Sequence, residues 1–384
     1  MTSAPPPTTA LLKQLVLLGG GPAHVHLLSH LARQGQNALP GVQLTLVTPG
    51  PHLFCTPLLP GFVAGRRLLA DCVIPLEPLV QRSGVRWQSA RAAELDAHAQ
   101  AVLLDDNSVL RFDWLSICNE PLQDRDVIER AMPGARKNGL FVRPVDAFCA
   151  LWPRVPELAA SQALRVAVIG GDRDGASPGG LAIELALAVR CRLPSAAVTL
   201  ITGGAPLAAD FPPGMQKRVA QALRQRNVTV LADTATRIEG GNILLGCGAS
   251  LACDVPLIAT AALAPVWLAS SGLAMDARGF VTVDACQRSV THANIFVADA
   301  GDDDFDRAGQ TLVDSLEARL SADTTRGPAG GNPGRRRRSQ PPKLLSCSDG
   351  HAIGSWHGYA AQGRWVNWLK SRREQGLMAR YRDI

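Results

Sequence analysis

Apolar and polar positions in this chain fall twice into the same order: an apolar run, a glycine cluster, then a segment with helical apolar spacing. The first copy is LVLLGGGPAHVHLL, residues 15–28. Leu15–Leu18 predict a buried strand, Gly19, Gly20 and Gly21 a tight turn, and Val25, Leu27, Leu28 and Leu31 the inward face of a helix ending near Gly35. The second copy, LRVAVIGGDRDGASPGGLAIELALAV, covers 164–189. A repeat at that separation implies two halves of one α/β design. GVQLTLVTPG (41–50) and AAVTLITGG (196–204) supply the second strand of each half, and a helix carrying Val219 and Leu223 follows the latter. Residues 84–117 alternate over short runs, which predicts antiparallel hairpins returning to a strand at Trp114–Ile117. Another strand is predicted at Ile295–Ala298, leading into a turn with Asp299 and Asp302.

The chemistry of a strand–glycine–helix unit is close approach of bare backbone to a pyrophosphate at a helix N-terminus. In the first copy His24 stands where the last glycine of G-x-G-x-x-G would be, and Thr48 stands where an acidic residue would grip ribose hydroxyls. Residues 52–65, HLFCTPLLPGFVAG, are apolar and broken by proline. They read either as a packed connection or as a lid beside an aromatic ring.

Composition narrows the class. With 46% hydrophobic and 19% charged residues, the 384-residue chain is an ordinary globular protein of two or three domains. No apolar run reaches the ~18 residues of a membrane span, and the N-terminus lacks the features of a secretory signal. Nine scattered cysteines without C-x-x-C spacing predict reduced thiols and a cytoplasmic location. The net charge of +6 is a property of the tail: from Arg335 onward there are eleven Lys/Arg against three Asp/Glu. No nucleic-acid face is expected. His24 and His26 are expected to be structural, and no metal site is expected.

GGGPAHVHLL (19–28), TPLLPGFVAG (56–65), FPPGMQKRVAQAL (211–223), residues 271–299 and LLSCSDGHAIGSWHGYAAQGRWVNWLK (344–370) run in one family's order across almost the whole chain. In these stretches it resembles the FAD-dependent pyridine nucleotide-disulfide oxidoreductase superfamily, and within it type II NADH dehydrogenases and the oxidoreductase module fused to selenophosphate synthetase. The resemblance implies an α/β fold with two interleaved Rossmann-type domains and a C-terminal interface segment. FAD would occupy residues 1–130 and 266–326, and NAD(P)H residues 131–265. A Gly/Pro/Arg-rich linker at 327–342 would precede an interface and helical tail at 343–384. It implies an FAD pyrophosphate held by Gly19, Gly20, Gly21, Pro22 and Ala23 with Thr48 nearby. Thr56, Pro57 and Leu58 would line the isoalloxazine, and Asp299 or Asp302 would hold the ribityl chain. NAD(P)H would meet Gly170, Gly171, Gly175 and Gly180. Glu184 would be the catalytic carboxylate beside the nicotinamide–flavin contact, although a helix-start carboxylate favoured by the dipole is an equal reading.

The departures concentrate on the second turn. Asp172 replaces a glycine and the turn is about three residues longer; Ala261 replaces another glycine, and SICNEP (116–121) stands where a glycine turn is expected. The family's helix start at the flavin is matched to VDSL, 313–316. Two outcomes fit Asp172: its carboxylate swings into solvent and binding survives weakly, or it stays in the turn and excludes NAD(P)H. The leading expectation is electron transfer from NAD(P)H through FAD to a quinone-like acceptor. The alternatives are a degenerate, non-catalytic flavoprotein or scaffold, and a sulfur- or selenium-linked flavin oxidoreductase using Cys118, Cys149, Cys191 or Cys347; inert buried thiols are the simpler reading of these cysteines. In the tail, Trp365, Trp368 and Leu369 share a helical face with Lys370, Arg372 and Arg373 beside them. That helix either packs on the core or rests on an anionic lipid surface, which would place the protein peripherally on the inner face of the membrane.

Overall fold

The computed structural model describes residues 12–34, 39–118, 123–171, 179–260, 264–277, 279–298, 305–324 and 342–382. Its first half is β1 (Lys13–Leu18), α1 (Pro22–Gln34), β2 (Val42–Val47), β3 (His52–Phe54), α2 (Leu59–Val63), β4 (Val73–Pro75), α3 (Glu77–Ser83) and β5 (Arg86–Gln88). An antiparallel meander of β6 (Ala92–Asp96), β7 (Ala101–Leu104) and β8 (Val109–Arg111) then leads to β9 (Trp114–Ile117). The middle of the chain holds α4 (Arg125–Ala131), α5 (Ala135–Asn138), β10 (Leu140–Phe141), α6 (Val145–Leu151), α7 (Arg154–Ala159), β11 (Arg165–Ile169), α8 (Gly180–Arg192), β12 (Ala197–Ile201), α9 (Pro213–Gln225) and β13 (Val228–Leu231). A second meander, β14 (Ala235–Glu239), β15 (Asn242–Leu245) and β16 (Ser250–Ala252), leads to β17 (Val255–Ile258). β18 (Ile295–Val297), α10 (Phe305–Thr324), β19 (Lys343–Ser346), β20 (Ala352–Trp356), β21 (Tyr359–Gly363) and α11 (Arg364–Arg382) complete it.

The repeat in the sequence is a repeat in space. One parallel sheet has the order β18-β9-β1-β2-β5 and the other β10-β17-β11-β12-β13. β1 and β11 occupy the same central place, each with a glycine turn at its C-terminal end. Leu15, Val16, Leu17 and Leu18 are buried on both faces of the first sheet, as an inner parallel strand requires. One face packs against α1, whose Val25, Leu27, Leu28 and Leu31 join Leu312 and Leu316 of α10. The other face packs against the meander through Leu95, Val102 and Leu104. The second sheet repeats this layering with α8 on one face and its own meander on the other. α8 is buried from Ala182 through Val189, because Leu59 and Val63 of α2 and Leu345 and Ile353 of the C-terminal sheet cover the side that would otherwise face water.

Three local expectations are corrected. Residues 52–65 are not an irregular connection: β3 pairs with β4, a 3-10 turn covers Thr56–Leu58, and α2 follows. VDSL lies inside α10 rather than at a helix start. The tail opens with a three-stranded antiparallel sheet, and 359–363, read as helical, is its last strand.

A candidate dinucleotide site and a buried charge cluster

Gly19 adopts φ +93° and donates its N–H to Val47 O at 2.8 Å, closing the first turn onto β2. Gly21 donates to Cys118 O at 3.1 Å, at the end of β9. A Cβ added to Gly21 would lie 2.4 Å from that oxygen and 2.5 Å from Cys118 Sγ, so the backbone approach itself demands glycine. At Gly20 a Cβ would meet only side chains, Leu76 Cδ1 at 2.8 Å and Thr48 Oγ1 at 3.2 Å. Pro22 opens α1 and no acidic residue sits in its first turn. The amides of Ala23 and His24 find no hydrogen-bond acceptor among the described residues outside the helix, the arrangement that receives an anion.

His24 fills the third glycine position without adding charge. Its ring is fully buried, with Nδ1 2.6 Å from Gly19 O and Nε2 2.8 Å from Ser116 Oγ. A neutral ring satisfies both, Nδ1–H donating to the carbonyl and Nε2 accepting from the hydroxyl. Burial pushes its pKa down to about 4, against a smaller opposing effect of the Gly19 carbonyl. Because the folded value lies below the ordinary one, this stabilisation is complete above about pH 6.5 and is lost as pH falls through about 4. The loss amounts to roughly 3 kcal/mol. Urea unfolding of wild type and His24→Gln between pH 7 and 4 is expected to show a steep acid loss only in wild type; parallel pH profiles would contradict this role.

Thr48 is buried, donating its N–H to Gln88 O and accepting from Trp87 Nε1. Thr202 holds the same place in the second sheet, donating to Leu231 O. The strand repeat could have located it, since it ends the run matching 41–50. In the second turn both Gly170 and Gly171 donate to Ile201 O, at 2.9 and 3.3 Å. A Cβ on Gly171 would lie 1.8 Å from Thr202 O. Gly180 begins α8. Asp172, Gly175, Ala261, Asp299 and Asp302 lie outside the described residues.

The structure places Glu184 in a buried cluster with the C-terminal segment. Its Oε1 accepts the Ser346 N–H at 2.5 Å and stands 3.5 Å from Lys370 Nζ. Lys370 also reaches Glu374 at 2.5 Å, and Glu374 holds Arg67 at 2.7 Å. Burial raises the Glu184 pKa, with Lys370 opposing. Burial works against the charge on Lys370, but Glu184 and then Glu374 outweigh it and hold its pKa above the ordinary value. Lys370 therefore faces inward at 8% exposure and does not flank the tail's aromatic face as the helical spacing predicts. Beside this cluster is a cavity of about 280 Å³, walled by Pro57, Leu58, Pro60 and Gly61 of the α2 region with Arg66 and Arg67. The C-terminal side contributes Ser346, Ser348, Gly350 and one face of α11. Thr56, Pro57 and Leu58 form the turn at its edge.

None of the nine cysteines forms a disulfide. Cys118, Cys149 and Cys347 are buried, and burial pushes Cys347 up to about 12; Cys191 is half-buried. Among the described residues no His/Cys/Asp/Glu group has metal-binding geometry, and no helix is long and apolar enough to cross a membrane.

Comparison with solved structures gives fold likeness over nearly the whole chain. The sulfide:quinone oxidoreductase of Aquifex aeolicus matches with TM-score 0.76 at 18% identity, over 97% of this chain and 92% of that one. NDH2 from Plasmodium falciparum, in complex with NADH, matches with TM-score 0.71 at 12% identity, over 97% and 96%. A NAD-dependent persulfide reductase from A. fulgidus matches with TM-score 0.66 at 16% identity, over 94% and 65%. The family model of the pyridine nucleotide-disulphide oxidoreductases matches residues 13–303, both glycine turns included. The chain thus belongs to the pyridine nucleotide-disulphide oxidoreductase family, enzymes that use FAD and NAD(P)H.

Proposed function

We propose that this chain passes electrons from NAD(P)H through FAD to a quinone or similar small acceptor. The observation that carries the reading is the first glycine turn: glycine is enforced at Gly21, the Ala23 and His24 amides at the start of α1 meet no acceptor outside the helix among the described residues, and no carboxylate stands in its first turn. These residues fit an FAD pyrophosphate, which Gly20, Gly21, Pro22 and the Ala23 amide would receive. FAD when bound supplies the electron-accepting ring, and the protein supplies position and surroundings. Thr56, Pro57 and Leu58 would border that ring, and Asp299 or Asp302 would bind the ribityl chain. Gly170, Gly171, Gly175 and Gly180 would approach NAD(P)H. We assign FAD to 1–130 with 266–326 and NAD(P)H to 131–265.

Asp172 favours the second reading, a flavoprotein that no longer takes NAD(P)H. The purified protein is expected to be yellow and to bleach slowly with NADH, and Asp172→Gly is expected to speed bleaching in stopped flow. Absence of bleaching in both proteins at millimolar NADH and NADPH would favour the scaffold reading. A colourless protein that binds no added FAD would end both.

The tail supports docking on an anionic membrane surface. Tyr359, Trp365 and Trp368 are exposed at 83%, 57% and 59%. Trp356 stacks on Trp365 at 6.0 Å, and Arg372 lies over Trp368 at 5.3 Å. Aromatic rings flanked by arginine suit a headgroup layer. Flotation with phosphatidylserine vesicles is expected to recover wild type at low salt and less at high salt. Trp365→Ser/Trp368→Ser is expected to stay with the soluble fraction; equal recovery of both proteins removes the membrane from the reading.

A further inference from the structure

The chain crosses between the two parallel sheets twice, outward from β9 to β10 and back from β17 to β18. Each sheet has apolar clusters of its own, and halves built this way move against each other unless something directional ties them. The packing of α2 on α8 holds them together, but apolar contact sets no angle. Gln123, on the outward crossing, supplies a directional tie. It is buried, at 5% exposure. Its Nε2 donates to Ile258 O at 2.9 Å and to Thr260 O at 3.3 Å, where the return crossing begins. Its Oε1 accepts the Arg143 N–H at 3.0 Å, just beyond β10. This set of partners needs a side chain that donates and accepts at once. An amide does both, whereas a carboxylate cannot donate and an ammonium cannot accept.

This clamp is joined to both glycine turns. Ala259, next to Ile258, donates to Ile169 O, and Ile169 is the residue before Gly170. On the other side Cys118 accepts from Gly21 and stands five residues before Gln123, a span of at most about 18 Å. We propose that the Gln123 amide fixes the angle between the carboxyl-terminal edges of the two sheets and is thereby a positioning residue for hydride transfer from NAD(P)H to the flavin. The proposal rests on the electron-transfer reading above. Ligands of parallel α/β sheets lie outside those edges, so a swing of one edge carries one ring away from the other. A misplacement of about 1 Å costs up to about 100-fold in rate. The partners of Gln123 lie outside both turns, so its loss leaves each turn's own hydrogen bonds in place.

The test combines pulsed-EPR distances with stopped flow on the full chain. One spin label goes on the exposed Cys247 beside β15 and the other on Arg111→Cys in β8, so that each meander reports its own sheet. Cys191 and Cys286 are changed to serine, and the other cysteines are buried. With Gln123 present, one narrow distance is expected. Gln123→Met and Gln123→Glu keep the length but lose the donor, and each is expected to broaden or shift that distance. In both, flavin content and the Kd for NADH are expected to stay within about twofold, while flavin reduction slows about tenfold or more. Unchanged distances in both variants overturn the proposal. So does unchanged flavin reduction, or slowing matched by an equal loss of NADH affinity. If neither variant folds, Gln123 is a determinant of folding rather than of orientation, and the proposal is overturned too. A protein that shows no flavin reduction before substitution at Gln123 refutes the electron-transfer reading, and the distances then decide the clamp alone.

Discussion

Gly21→Ala is expected to purify without FAD, whereas Gly20→Ala is expected to keep it. The added methyl group at Gly21 has nowhere to go: the carbonyl oxygen of Cys118 lies 2.4 Å away and its carbonyl carbon 3.0 Å. Backbone cannot rotate aside as a side chain can, so the turn must lift away from β9 and break the Gly21–Cys118 hydrogen bond. Overpacking of this kind costs about 1–3 kcal/mol. Spent at the phosphate-receiving turn, it weakens FAD about ten- to hundredfold. At Gly20 the closest atom is the end of the Leu76 side chain, which has other rotamers. The flavin-to-protein absorbance ratio reads the difference. Full flavin content in Gly21→Ala would mean that the turn does not hold the cofactor.

Lys370→Met is expected to destabilise the protein by about 3–5 kcal/mol, the usual result of removing one partner from a buried ion pair. Methionine matches the stem's volume but leaves Glu184 and Glu374 facing each other in a dry site. Glu184→Gln is expected to cost less, because its burial already favours the neutral acid and the amide still accepts from Ser346. The pH dependence gives the sign. Without the lysine that opposes its burial, the Glu184 carboxyl is pushed further up, so the variant is closest to wild type in acid and loses stability as pH rises through that raised value. Urea unfolding at pH 5 and pH 8 is the measurement; a pH-independent difference would show that packing rather than charge holds α11 in place.

What the sequence disclosed follows from where its signals are local. Leu15–Leu18 is an uninterrupted apolar run and Trp114–Ile117 one broken only by Ser116, and both are inner strands. Residues 52–65 carry no period because a three-residue strand and a proline-opened helical turn are too short to show one. The 359–363 strand was hidden by helix-friendly alanines and glutamine. Its signal was the dipeptide before it: His357 and Gly358 both have positive φ, 45° and 88°, closing the hairpin that pairs Trp356 with Tyr359. The inward turn of Lys370 and the buried ring of His24 depend on distant partners, Glu184 and Ser116, that no local pattern announces.

The strand order also dictates a schedule for biosynthesis. β18, the edge strand of the first sheet, is translated after every strand of the second. α10 covers α1 later still, and Tyr381 of α11, translated after it, reaches back to His26 at 2.8 Å. On the ribosome the second sheet is therefore complete while β9 still presents a bare edge, a template for pairing with other chains. A product released before Ile295 would carry one finished sheet and one open one, and its characteristic failure would be association through β9 rather than simple loss of activity.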